Sequence, residues 1–293
     1  MKVYYVNSNN EQIDLLSAPY HIEETDFFNF EWSYETENRR VTRFYRDVET
    51  KKVSVDIFSQ NQKDFYSALN RLVEIFDVDN VSNVKGKLFY NDYYIECNIF
   101  KNQKDMKSYI LPYAKLDLTL VTDSTKWIKE DTYHFYSSGE GRKTGTKKYS
   151  YKYPYVYGAS EGQMTVRNIG VVENDILLRI YGPAQDPAIK IGDNLYQINT
   201  TLEANERLEI DTMKKKAVKI TAHGDEINVF NDRNKDNRLY IPIPPGTNIV
   251  VWNNSFSFDI VVYDARSEPK WESDEWWWSS STRILTESNK DHC

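Results

Sequence analysis

Four histidines are the side chains of this sequence best suited to acid–base chemistry or metal binding near neutral pH. They are His21, His134, His223 and His292. They lie in four different segments, and none has a second histidine or a cysteine pair at zinc-ligand spacing. A Ser-His-Asp arrangement would have to be assembled by the fold, and no nucleophile-elbow motif points to one. We therefore predict no catalytic residue and no zinc site.

Two loops carry weaker signs of ligand binding. Residues 232–236 read Asp-Arg-Asn-Lys-Asp and have the alternating oxygen ligands of a calcium loop. However, Asn237 stands where that loop needs glycine, Ile243 stands where it needs a bidentate glutamate, and three basic side chains, Arg233, Lys235 and Arg238, lie inside it. Residues 139–145 are rich in glycine but match neither the P-loop nor the dinucleotide spacing. We predict no metal site, no cofactor-binding residue and no cofactor.

Tryptophan is concentrated near residue 275. Four of the seven tryptophans, Trp271, Trp276, Trp277 and Trp278, lie in eight residues. Three consecutive side chains cannot all face one core from a strand, because strand side chains alternate. Exposed tryptophan favours docking on another surface. We identify these four as candidate residues for docking onto a neighbouring subunit or another protein. The alternative is that they pack onto their own domain.

The elements that must position these residues are mostly strands. Val53, Val55 and Ile57 alternate with polar residues and predict a strand. A helix follows, for which Ser59 and Gln62 have capping-box spacing, and residues 77–80 are predicted to end it. Its apolar stripe consists of Phe65, Leu69, Leu72 and Phe76. Residues 87–97 predict a hairpin across Asn91-Asp92, and residues 116–120 predict a further strand.

The second half predicts a β-sandwich. Short apolar runs alternate with turn residues, and Pro245-Gly246 suits a type II turn. The predicted strands are 164–168, 176–181, 194–201, 207–211, 217–220, 248–252 and 256–263.

Length and composition narrow the class of protein. At 293 residues, the chain fits about two domains. We place a first domain at 1–131, a connector at 132–160, a sandwich at 161–265 and a Trp-rich tail at 266–293. The net charge of −7 argues against electrostatic binding of nucleic acid or of anionic lipid. No apolar run is long enough to suggest membrane insertion. Two cysteines fit assembly in a reducing cytoplasm.

The order of motifs resembles the distal tail protein (Dit) family of long, flexible-tailed bacteriophages. In the first part the resemblance rests on the strand and helix over residues 53–76, the hairpin over residues 86–94 and residues 118–130. It continues with Tyr153-Pro154-Tyr155, which is similar to the strand that opens the family's second domain. The motifs that then follow in the family's order are Asn168-Ile169-Gly170, Tyr181-Gly182-Pro183-Ala184, Asp186-Pro187-Ala188-Ile189, Leu208-Glu209-Ile210-Asp211-Thr212 and Pro245-Gly246-Thr247-Asn248.

The resemblance implies a mainly β protein with an α+β N-terminal belt domain that has one helix and a C-terminal galectin-like β-sandwich. It implies a non-enzymatic hub, in which six copies form a ring at the tip of the virion tail after assembly in the host cytoplasm. Expected partners are the tail tube protein, the tail-associated fibre or lysin protein and receptor-binding proteins, while DNA only passes through the channel. The Trp-rich segment after Trp271 departs from the family pattern.

Two other functions stay open. A galectin-like module that binds carbohydrate at the host surface would need an aromatic platform on one sandwich face. A hydrolase would need a pair of carboxylates, and the sequence singles out no such pair.

Overall fold

The computed structural model of the chain describes residues 1–105, 111–137 and 164–271. The predicted mainly β fold with one helix is confirmed in these ranges. The first half contains β1 (Val3–Val6), β2 (Gln12–Asp14), β3 (Tyr20–Thr25), β4 (Ser33–Glu37), β5 (Arg40–Tyr45), β6 (Glu49–Phe58), α1 (Gln62–Ser82), β7 (Gly86–Tyr90), β8 (Tyr93–Asp105), β9 (Tyr113–Thr122) and β10 (Trp127–Phe135).

The second half contains short strands and a 3₁₀ turn at Phe230–Asp232. They are β11 (Thr165–Asn168), β12 (Ile176–Tyr181), β13 (Ala184–Gln185), β14 (Ala188–Ile191), β15 (Asn194–Gln197), β16 (Thr201–Leu202), β17 (Arg207–Asp211), β18 (Lys216–Ile220), β19 (Glu226–Asn228), β20 (Gly246–Val251) and β21 (Phe258–Arg266).

The first core lies between α1 and a curved antiparallel sheet. Strand β8 is long enough to pair with β7 through its first residues and with β9 through its later ones. The sheet therefore extends from β7 to β1 and β2 on one side, and from β9 to β6 and β3 on the other. The predicted hairpin of β7 and β8 across Asn91-Asp92 is confirmed.

The limits of α1 differ from those predicted. The capping box at Ser59 and Gln62 is wrong, because Asn61 caps the helix and its side chain accepts a hydrogen bond from the Asp64 backbone N–H. The helix also does not end at residues 77–80. The Asp79 carboxylate accepts hydrogen bonds from the Tyr5 hydroxyl and the Ser8 backbone N–H, and the helix continues to Ser82. It ends before Asn83, whose φ of 51° lies in the left-handed region that asparagine tolerates well.

The second core lies between two sheets, as predicted for a sandwich. One sheet has the order β11–β20–β14–β15, and the other contributes β10, β21, β12, β17 and β18. The predicted strand 194–201 is wrong in its middle, because β15 ends at Gln197 and β16 starts at Thr201. Gly246 has the positive φ of 95° that the predicted turn at Pro245-Gly246 requires.

One strand joins the two halves. Strand β10 pairs with β8 through Ile128 and Lys129, and with β21 along its whole length from Trp127 to Phe135. Within the described ranges, this strand makes the sheets of both cores continuous. The division of the chain at residues 131 and 161 stays a prediction, and residues 138–160 of the connector lie outside the described ranges.

Candidate assembly interface

Strands β4 and β5 form a hairpin that we call the arm (residues 33–45). Its two-residue turn is Asn38-Arg39, and both residues have positive φ, at 50° and 63°. This is a type I′ turn, whose twist matches that of the flanking strands. Neither outer edge of the arm pairs with another strand in the part of the chain that the structure describes.

The two faces of the arm differ in polarity. Tyr34 pairs with Phe44 and Thr36 pairs with Val41, so these four side chains share one face. Tyr34 and Phe44 are 61% and 62% exposed, and their ring centroids lie 6.4 Å apart. The opposite face carries two acidic and two basic side chains, Glu35, Glu37, Arg40 and Arg43.

An isolated two-stranded hairpin is marginally stable in water, and an exposed aromatic face adds an unfavourable contact with solvent. Free strand edges also present unpaired backbone groups. The arm therefore has the properties of a surface that another protein covers. The arm was not among the predicted strands, although the alternation of Tyr34 and Thr36 was a detectable sign.

A small buried cluster joins the two cores. It consists of Tyr94, Ile128, Leu177, Val261 and Tyr263. The Tyr94 hydroxyl donates a 2.8 Å hydrogen bond to Glu130, and Tyr263 donates a longer one, at 3.4 Å, to Asp211. Burial is the main cause that raises the pKa of both tyrosines far above the usual value, and the nearby carboxylates raise it further. Both hydroxyls therefore stay donors.

Of the four tryptophans identified as docking residues, the structure describes Trp271. Its ring is 67% exposed and contacts Phe28 edge-to-face, with centroids 5.1 Å apart. Phe28 also contacts Tyr90 at 4.8 Å and buried Trp127 at 5.7 Å. Trp271 therefore lies against the first half of the chain. Trp276, Trp277 and Trp278 lie outside the described residues.

The structure places one of the four histidines in a polar cluster. His134 Nδ1 lies 2.7 Å from one Asp259 oxygen, and the Tyr181 hydroxyl donates to the other oxygen at 2.7 Å. Burial and this hydrogen bond raise the pKa of Tyr181 to about 12, so its hydroxyl is a poor nucleophile at neutral pH. The sequence could not have predicted this cluster, because it depends on the pairing of β10 with β21.

A carbohydrate-binding module would need an aromatic platform on one sandwich face, and the outer face around this cluster is one such face. Arg179 and Arg207 both pair with Glu209, at 3.5 and 2.9 Å, so the charged groups here largely satisfy one another. Among the described residues of β10, β21, β12, β17 and β18, Tyr181 is the one exposed aromatic residue, and Tyr136, just after β10, is exposed as well. These strands therefore offer few aromatic side chains to a sugar.

The calcium-like loop is a polar connection in the structure. The Arg233 guanidinium lies 4.0 Å from the centroid of the Phe230 ring, and the Asn234 amide donates to Gln197. Over residues 1–105, 111–137 and 164–271, no group of three or more His, Cys, Asp or Glu side chains could hold a metal ion. No helix in these ranges is long and apolar enough to cross a bilayer.

The fold and the arm together define a class of mainly β proteins with two cores and an exposed hairpin. No protein-family model matches the sequence, and no curated protein matches it either. Solved structures do. The Dit protein of phage SPP1, described as a paradigm of the hub adsorption apparatus in phages that infect Gram-positive bacteria, aligns with a TM-score of 0.55 and 10% identity over 90% of this chain and 98% of its own.

The baseplate of phage P2 in its activated conformation is also similar. A chain of the form with calcium aligns with a TM-score of 0.58, and one of the form with strontium with 0.59. Both are 11% identical over 89% of this chain and 97% of their own. The resemblance to the distal tail protein family is therefore confirmed at the level of the fold, which extends over nearly the whole length of these proteins.

Proposed function

We propose that this chain is the structural hub of a phage tail tip. In this proposal six copies close into a ring that continues the tail tube and joins it to the tail-associated fibre or lysin protein. The sandwich of the second half of the chain lies outside the ring, where receptor-binding proteins attach. The hub is not an enzyme, it is assembled in the host cytoplasm, and DNA passes through its channel without specific binding.

The observation that carries this proposal is the exposed aromatic face of the arm. A face of one subunit that binds a different face of the next makes a heterologous contact, and such contacts close into a ring when the rotation between subunits is right. The long fold similarity to the Dit protein of phage SPP1 and to the baseplate of phage P2 supports the same function.

Mass photometry of the purified chain and two variants tests the proposal. Wild type is expected to form particles of six chain masses. Phe44→Ser removes an exposed ring from the apolar face and should weaken each contact by about 2 kcal/mol, typical of an aromatic hot spot. Arg43→Gln is the matched control on the opposite face, and it should keep the ring.

Two results would contradict the proposal. One is a wild-type chain that stays monomeric at every concentration tested. The other is a Phe44→Ser chain that assembles as well as Arg43→Gln does. Because both side chains are exposed in the monomer, neither change should alter its free energy of unfolding by more than about 0.5 kcal/mol.

A further inference from the structure

The segment that leads into the arm carries exposed aromatic side chains close to Phe28. Phe30 and Trp32 are 42% and 44% exposed, and they lie two and four residues beyond Phe28 in the chain. We call Phe28, Phe30 and Trp32 the root surface. Four residues span at most about 14 Å, so the whole root surface lies close to the Trp271 ring on Phe28.

The end of β21 lies next to the root surface. Arg266 at the end of β21 pairs with Trp127 at the start of β10, and Trp127 contacts Phe28. The five residues after Arg266 end at Trp271 on the same aromatic group. Residues 272–293 therefore begin beside the root surface. Trp276 follows Trp271 by five residues, which span at most about 18 Å.

We propose that residues 272–293 bind the root surface of their own chain, with Trp276, Trp277 and Trp278 covering Phe30 and Trp32. The occupant is the chain's own segment, because Trp271 already holds the start of this segment on Phe28. Binding within one chain does not depend on protein concentration, so the segment covers the root before any neighbour arrives.

Photo-crosslinking tests the proposal in the full chain. Trp277 is replaced by benzoylphenylalanine, and the crosslinked peptides are identified by mass spectrometry at two concentrations a hundredfold apart. The expected result is a crosslink to residues 26–34 of the same chain, with the same yield at both concentrations. A probe at Val171, which is 93% exposed on the sandwich half of the chain, is the control and should not reach residues 26–34.

A paired substitution tests the surface itself. Phe30→Ser with Trp32→Ser should lower the crosslink yield by about tenfold, as expected when two aromatic contacts are lost. Val171→Ser should leave the yield unchanged. Circular dichroism shows whether each variant is folded.

The proposal would be overturned by crosslinks between two chains, by crosslinks to another surface, or by no crosslink from the probe at Trp277. These results are independent of ring formation, because the experiment can be done on the monomeric Phe44→Ser chain as well as on wild type. Failure of the hub proposal would leave crosslinking within one chain intact.

Discussion

The Tyr5 hydroxyl donates a 2.5 Å hydrogen bond to the Asp79 carboxylate, and this pair joins the first strand to the last turns of the helix inside the first core. Burial and the carboxylate together raise the pKa of Tyr5 far above its usual value, so the hydroxyl remains a donor. Both side chains lie over Gly86, where an added Cβ would overlap the hydroxyl and the carboxylate. The glycine in this hairpin motif is thus required by close approach.

Removing this donor should destabilise the fold. Tyr5→Phe leaves a buried carboxylate with one hydrogen bond fewer, and we expect a loss of about 2–3 kcal/mol in the free energy of unfolding. Urea unfolding followed by circular dichroism measures it. Tyr4→Phe is the control, because the Tyr4 ring would keep its stack on Phe89, and it should change the value by less than about 0.5 kcal/mol. Equal effects of the two changes would contradict the role given to Asp79.

The Asn168 side chain organises the loop that follows β11. Its amide nitrogen donates to the carbonyls of Val172 and Ile243, and its oxygen accepts from the Gly170 backbone and the Asn174 amide. Asn168→Ala removes all four bonds in a buried site and should cost about 2–4 kcal/mol. Arg167→Ala, at the exposed neighbouring position, should cost little in the same unfolding experiment. A mild effect of Asn168→Ala would show that water replaces these bonds.

The Cys97 thiol is fully buried, and burial raises its pKa to about 12. At pH 8 only roughly one thiol in ten thousand would be ionised, and the thiolate is the reactive form. In a Cys293→Ser chain we expect no reaction of Cys97 with a disulfide reagent under native conditions, and complete reaction in urea. Rapid native labelling at pH 8 would mean that the first core opens readily.

The Tyr196 hydroxyl donates a 2.5 Å hydrogen bond to the Ile241 carbonyl, and burial raises its pKa from 10 to about 12. The fold therefore favours the neutral hydroxyl, and this stabilisation is complete below pH 10 and is lost between pH 10 and 12. Tyr196→Phe should lower the free energy of unfolding by about 1–2 kcal/mol at pH 8.

Above pH 10 the difference between wild type and Tyr196→Phe should shrink, because only wild type loses the contribution of Tyr196, at up to about 1.4 kcal/mol per pH unit. Urea unfolding at several pH values from 8 to 11 measures this. Tyr66→Phe, at an exposed tyrosine, is the control. A difference that stays constant with pH would contradict the assignment.

Local patterns in the sequence were enough to predict some elements. The helix and the hairpin at Asn91-Asp92 are confirmed because apolar period and turn residues there agree with the packing. The arm was missed because its turn is Asn38-Arg39, and the glycine that usually marks a type I′ turn is replaced by arginine. A positive φ at Arg39 is unfavourable, and no sequence rule predicts it.

Contacts between distant segments could not be predicted at all. His134 meets Asp259 across 125 residues of chain, and Trp271 meets Phe28 because β21 pairs with β10. Strand pairing of this kind depends on which faces are buried and on the register between strands, and neither can be deduced from local residue types. That the four tryptophans dock on a partner stays a prediction, and of the four the structure describes the surroundings of Trp271.

Electron microscopy of the purified full chain tests the central claim most directly. If the chain is a tail-tip hub, class averages should show closed rings with sixfold symmetry, a central channel and six outer lobes, one from the sandwich of each chain. The Phe44→Ser chain should show single particles of one chain. Wild-type particles that remain single folded chains at every concentration, or that form open filaments, would contradict the claim.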